Sequence, residues 1–148
     1  MIDQSLITKG LEALIRDSLN SGLVGCTVDR STQINFDPAR CPWLGIYPGD
    51  VDSEPKTISP ASWREKMDVQ VVIQTSAYSS EGQAASDELE SLIKVVLDVV
   101  GTDLTLGVNG VRVIGISRQY SYVLTDENGT GDLFMPQVVI KLKLESRV

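Results

Sequence analysis

From Val69 to Val100 the sequence reads "VQVVIQTSAYSSEGQAASDELESLIKVVLDVV", a strand pattern that passes through a polar link into a helix pattern. With Met67 just ahead, the residues Val69, Val71, Ile73 and Thr75 fall on one side, while Asp68, Gln70, Gln74 and Ser76 mostly take the other. That is a strand with one face on a core. Leu89, Leu92, Ile93, Val96, Leu97 and Val100 then follow the i, i+3, i+4, i+7 spacing of an amphipathic helix. In many enzymes such a junction carries a nucleophile or a phosphate loop. Here it carries Ser, Glu, Gly and Gln. Ser80 and Gln83 have the spacing of a capping box, and Glu81, Asp87, Glu88 and Glu90 occupy the N-terminal half, where the helix dipole favours negative charge. The same carboxylates would repel an anion, so the junction reads as scaffold.

Toward the N-terminus, Leu6, Ile7, Leu11, Leu14, Ile15 and Leu19 predict a helix over Asp3 to Asn20, with Gly22 as its stop. Val24, Cys26 and Val28 alternate as a short strand, and "CPWLGIYPGD" is a second apolar run. From Gly49 to Ser62 the residues are polar, without an apolar period and with Pro55 and Pro60, so a long exposed loop is expected. Long loops within a compact domain are uncommon and usually functional or mobile. Asp50, Asp52 and Glu54 stand on its first half and Lys56 on its second, a charge split able to orient a partner. Trp63 and Arg64 follow it directly. Pro48, Pro55 and Pro60 reduce the entropy lost on ordering such a segment.

Toward the C-terminus, Asn109-Gly110 between Val108 and Val111 predicts a two-residue hairpin. Val111 to Thr125 reads as a long strand with a bulge near Gly115. Asp126 to Asp132 is a turn whose Asp126, Glu127 and Asp132 make it a companion to the long loop. Val138, Ile140, Leu142 and Leu144 form the inner side of a last strand. The fold expected is one α+β domain: an antiparallel sheet of about four to five strands with two helices packed on it, in the order α-β-β-β-α-β-β.

Composition restricts the chemistry. The chain of 148 residues carries a formal charge of −7 and has no histidine. That removes the commonest general base and metal ligand. No phosphate-binding glycine motif occurs, and neither "GDVD" nor "DENGTGD" has calcium-loop spacing. The basic residues are scattered, which argues against nucleic-acid reading. Cys26 and Cys41 read as reduced thiols, and the N-terminus does not read as a signal peptide. No stretch is apolar enough to span a membrane. Tyr120 and Tyr122 share a strand face, suited to cross-strand packing or an interface, and Trp43 and Trp63 flank the long loop as aromatic anchors. The expectation is a non-enzyme without cofactor or metal.

In the order and texture of "CPWLGIYPGD", "WREKMDVQVVIQ", "ASDELESLIKVVLDVV" and "TLGVNGVRVIGI", the chain resembles the tail terminator proteins of long-tailed bacteriophages (the tail completion, or minor tail protein U-like, family) over nearly its whole length. The resemblance implies a virion protein that forms a six-membered ring of its own copies at the head-proximal end of the tail. Such a ring stops tube polymerisation and joins the tail to the head connector. The implied partners are further copies, the tail tube protein and the head–tail connector protein, with genomic DNA passing through unbound. Another neck or head-completion protein, or a small ligand-binding regulatory domain, is the alternative.

Overall fold

The computed structural model describes residues 3–21, 26–30, 42–58, 61–78, 82–108, 110–126 and 132–146. Within these, the side chains of 20–21, 56–58, 61–63, 78, 82, 123–126 and 132–133 stand outside the description. The elements are α1 (Gln4–Ser21), β1 (Thr27–Asp29), β2 (Trp43–Ile58), β3 (Ala61–Gln74), the two-residue β4 (Ala77–Tyr78), α2 (Gly82–Thr102), β5 (Val111–Asp126) and β6 (Asp132–Ser146). The expected α+β class and element order hold, with β4 added. The sheet runs β1-β2-β3-β6-β5, and β4 continues beside β6 where β3 ends.

The sheet is mixed, not purely antiparallel as expected. β1 pairs parallel to β2, with Thr27 opposite Trp43 and Asp29 opposite Gly45. A tight turn cannot join parallel neighbours, but the connection from Arg30 to Pro42 has the length such a return needs. β1 is also tied to α1, because Arg16 Nη2 donates to the Val28 carbonyl at 2.8 Å. The other β pairs are antiparallel.

Both helices lie on one face of the sheet. Asp3 caps α1, its Oδ1 accepting from the Ser5 and Leu6 amides. Ile7, Leu11, Ile15 and Leu19 of α1 meet the predicted stripe of α2, where Leu89, Leu92, Ile93, Val96 and Val100 are buried. Beneath them lie Leu44, Ile46, Met67, Val69, Val71, Ile73 and the four predicted residues of β6, Val138, Ile140, Leu142 and Leu144. The opposite sheet face holds a smaller cluster of Trp43, Tyr47 and Val72. The capping role of Ser80 lies outside the described residues. Gln83 donates from Nε2 to Asp87 Oδ1 at 3.0 Å, and α2 has no acidic residue in its first turn, so dipole support from Asp87, Glu88 and Glu90 is weakened by distance, while Glu81 lies outside the described residues.

Two further expectations are corrected. The segment Gly49 to Ser62 is not a loop: β2 and β3 remain paired from Val51 opposite Met67 to Ile58 opposite Ala61. β6 accompanies β3 only from Lys66 onward, so the hairpin beyond that point is a two-stranded arm. Apolar alternation arises when one strand face is buried, and the described side chains from Val51 to Pro55 are all exposed. Pro48 and Pro55 mark the two register shifts in β2, where proline's missing N–H is tolerated. Nor does Asn109-Gly110 join two strands. Residues 104–107 form a turn, Val113 N donates to the Leu104 carbonyl at 2.8 Å, and β5 finds its hairpin partner in β6. Gly110 does have the positive φ expected of it, 87°, while Asn109 lies outside the described residues. The predicted bulge near Gly115 is present as a register shift between Val113 and Gly115.

Candidate interaction surface

The residues singled out by sequence fall into two groups. Asp50, Asp52 and Glu54 are exposed on β2, whose outer side is covered by β1 only at Trp43–Gly45. Lys56 and Trp63 lie in the arm by their backbones, with Trp63 opposite Pro55, and their side chains are outside the description. Arg64 is opposite Glu54 and sets its Nε 3.3 Å from Glu145 Oε1 of β6, fastening the arm's base to the sheet. Glu65, largely buried, adds a second fastening: its backbone N–H donates to Ser146 Oγ at 2.9 Å.

Asp126 and Asp132 are cross-strand partners at the other end, closing β5 on β6, and Glu127 lies outside the described residues. Along β6, Asp132 and Glu145 are thirteen residues apart, roughly 43 Å at the rise of an extended strand. The arm and this turn therefore stand at opposite ends of the sheet. Within one chain the arm and its companion turn do not meet.

A feature that sequence reading caught only in part is the edge formed by β5. Ile114, Ile116, Tyr120 and Tyr122 are 44–69% exposed, a run of large apolar and aromatic groups on one strand. Ile116, Arg118, Tyr120 and Tyr122 oppose Leu142, Ile140, Val138 and Pro136, so they occupy the helix-side face and are exposed there. Tyr122 packs on Phe134 with ring centroids 5.9 Å apart, which is the expected cross-strand packing. Arg118 Nη1 donates to Tyr120 Oη at 3.4 Å. Partial burial, and next the neighbouring Glu90 carboxylate, push the Tyr120 phenol above its ordinary value, against the opposing charge of Arg118. The signal that could have revealed this edge is a long strand carrying exposed-type residues on both faces, Arg118, Gln119, Tyr120, Ser121 and Tyr122 in succession.

A shallow cleft of about 220 Å³ lies between the C-terminal parts of α1 and α2, lined by Leu14, Asp17, Ser18, Asp98, Val99 and Asp103 among others. Among the described residues no three His, Cys, Asp or Glu side chains are grouped to hold a metal ion. No described helix is long and apolar enough to cross a membrane.

Neither a family model nor a curated protein matches the chain. Among solved structures, one that bears only a reference code aligns over 100% of this chain and 98% of its own, with 18% identity and a TM-score of 0.48. What the described surface offers is strand edges and a projecting hairpin. These are means of joining chains, since an unpaired edge presents backbone donors and acceptors to another polypeptide.

Proposed function

We propose that this chain is a structural protein of the phage tail, a tail terminator whose copies close into a ring, a hexamer by resemblance, at the head-proximal end of the tail tube. The ring stops tube polymerisation and presents the surface on which the head connector docks. It has no enzymatic role and needs no cofactor or metal. The single observation that carries the reading is the arm: β2 and β3 stay paired beyond Lys66, the last β3 residue in register with β6, and the described β2 side chains there, from Val51 to Pro55, are exposed. A two-stranded ribbon is marginal by itself, and partner contacts are what would give such an extension a use. The net charge of −7 suits a bore through which DNA passes unheld.

The test is to remove residues 54–64 and join Ser53 to Glu65, which are cross-strand partners, through an Asn-Gly turn. Negative-stain microscopy of the parent protein should show rings. The shortened protein should keep its circular dichroism and fail to complete tails in a complementation assay. Tails completed as well by the shortened chain as by the parent would refute the reading.

A further inference from the structure

Four charged residues form one row across the sheet. Asp52 on β2 is opposite Lys66 on β3, Lys66 is opposite Glu145 on β6, and Glu145 is opposite Arg112 on β5. All four lie on the face away from the helices, since the next row, Val51, Met67, Leu144 and Val113, points the other way and holds three buried core residues. The signs alternate, negative, positive, negative, positive. Directly opposed unlike charges stabilise a strand pair, and like charges destabilise it. The alternation ends unsatisfied at both margins, with an exposed Asp52 on one edge and an exposed Arg112 on the other.

The two edges differ in charge beyond this row. The exposed part of β2 from Pro48 to Pro55 carries Asp50, Asp52 and Glu54 and no basic residue, whereas β5 carries Arg112 and Arg118 and no acid before Asp126. We infer that β5 of one copy docks beside β2 of the next, with Arg112 next to the neighbour's Asp52. This rests on the ring reading above and names the contact that closes the ring. Strand direction agrees: β5 is antiparallel to β6, β6 to β3 and β3 to β2, so a neighbour added in the plane of the sheet brings β5 antiparallel to β2. With Arg112 at Asp52, the contact is the first half of β5, Arg112 to Arg118, along β2 back to Ile46, because β1 covers the edge from Gly45. Pro48 and Pro55 each remove an N–H, which limits any backbone ladder and leaves side-chain charge to set the register. Two acidic edges repel each other, so the pairing is head-to-tail, the kind that generates rings, and a two-fold dimer through β2 is rejected.

Charge exchange on the full chain tests this by sedimentation and mass photometry. Asp52→Arg and Arg112→Asp each also set a like pair inside the chain, against Lys66 or Glu145, which lowers the melting temperature. With unchanged circular dichroism at the assay temperature, each should raise the concentration needed for assembly by about tenfold or more. The double variant, and an equal mixture of the two single variants, should both restore rings, because each re-creates an unlike pair at every contact. Asp52→Asn and Arg112→Gln should show smaller shifts in the same direction. Singles that assemble like the parent, or that lose assembly without rescue in the double variant and the mixture, overturn the edge contact while parent rings keep the ring reading intact. A parent protein that stays monomeric at all concentrations overturns both.

Discussion

Thr75 donates its hydroxyl to the backbone carbonyl of Ala85 at 2.7 Å, with the threonine fully buried. The bond crosses the polar link between β3 and α2 and ties the end of the strand to the first turns of the helix. A residue at the strand-to-helix junction, where other proteins place a nucleophile, is here a fastening. Thr75→Val keeps the shape and removes the donor, so it should cost about 0.5–1.5 kcal/mol. Thr75→Ser should recover part of that loss, and thermal melts of the three proteins check the order.

Gln74 and Gln137 face each other across β3 and β6, and Gln74 Nε2 donates to Gln137 Oε1 at 3.2 Å inside the sheet face away from the helices. Gln137→Leu leaves the Gln74 amide buried without this partner, at a cost of about 1–3 kcal/mol. Replacing both by Leu should cost less than the sum of the singles, because no half of the pair is left behind. Chemical denaturation of the four proteins closes the cycle; strict additivity would show that the two amides do not depend on each other.

Two glycines in helices should respond in opposite ways to alanine. A Cβ on Gly10 of α1 would lie 2.5 Å from the Leu106 carbonyl oxygen, and Leu106 is itself fully buried with a φ of 53°. The gain in helix propensity of about 1 kcal/mol is then outweighed by displacement of that turn, and Gly10→Ala should lower the melting temperature. A methyl group added at Gly101, near the end of α2, would have nothing within 4 Å, so Gly101→Ala should raise stability by about 0.5–1 kcal/mol. Thermal melts of both variants beside the parent check the opposite signs.

Asp103 follows α2 and organises the turn after it. Its Oδ1 accepts from the Thr105 hydroxyl at 2.6 Å and the Thr105 amide at 2.9 Å, and its Oδ2 from the Gly107 amide at 3.0 Å. These bonds, that from the Thr105 hydroxyl first, hold the carboxyl below its ordinary value of 3.8. A depressed folded-state value means the stabilisation is fully present above the unfolded value and fades as pH falls through the folded one. Asp103→Ala should therefore melt below the parent at neutral pH, and the gap should narrow in strong acid. A gap of constant size from pH 7 to about pH 2 would show that the charge does not contribute.

Elements with one buried face were legible from residue order alone. The stripe Leu89, Leu92, Ile93, Val96 and Val100 and the alternation Val138, Ile140, Leu142 and Leu144 are both in the core as expected, because burial on one side imprints a period on the sequence. The same rule explains why Gly49 to Ser62 reads as a loop: a ribbon exposed on its described faces has no reason to alternate, and Pro55 sits at a bulge that only the register reveals. Local turn chemistry likewise identified Gly110's positive φ, yet Gly110 does not connect two strands, since which strand β5 pairs with is settled by long-range contacts. The parallel seating of β1, and the row that sets Asp52, Lys66, Glu145 and Arg112 side by side from four separate strands, exist only in the folded chain. Sequence carries the periodicity of each strand; the register between strands, and with it the meeting of distant charges, comes from packing both helices on a single sheet face.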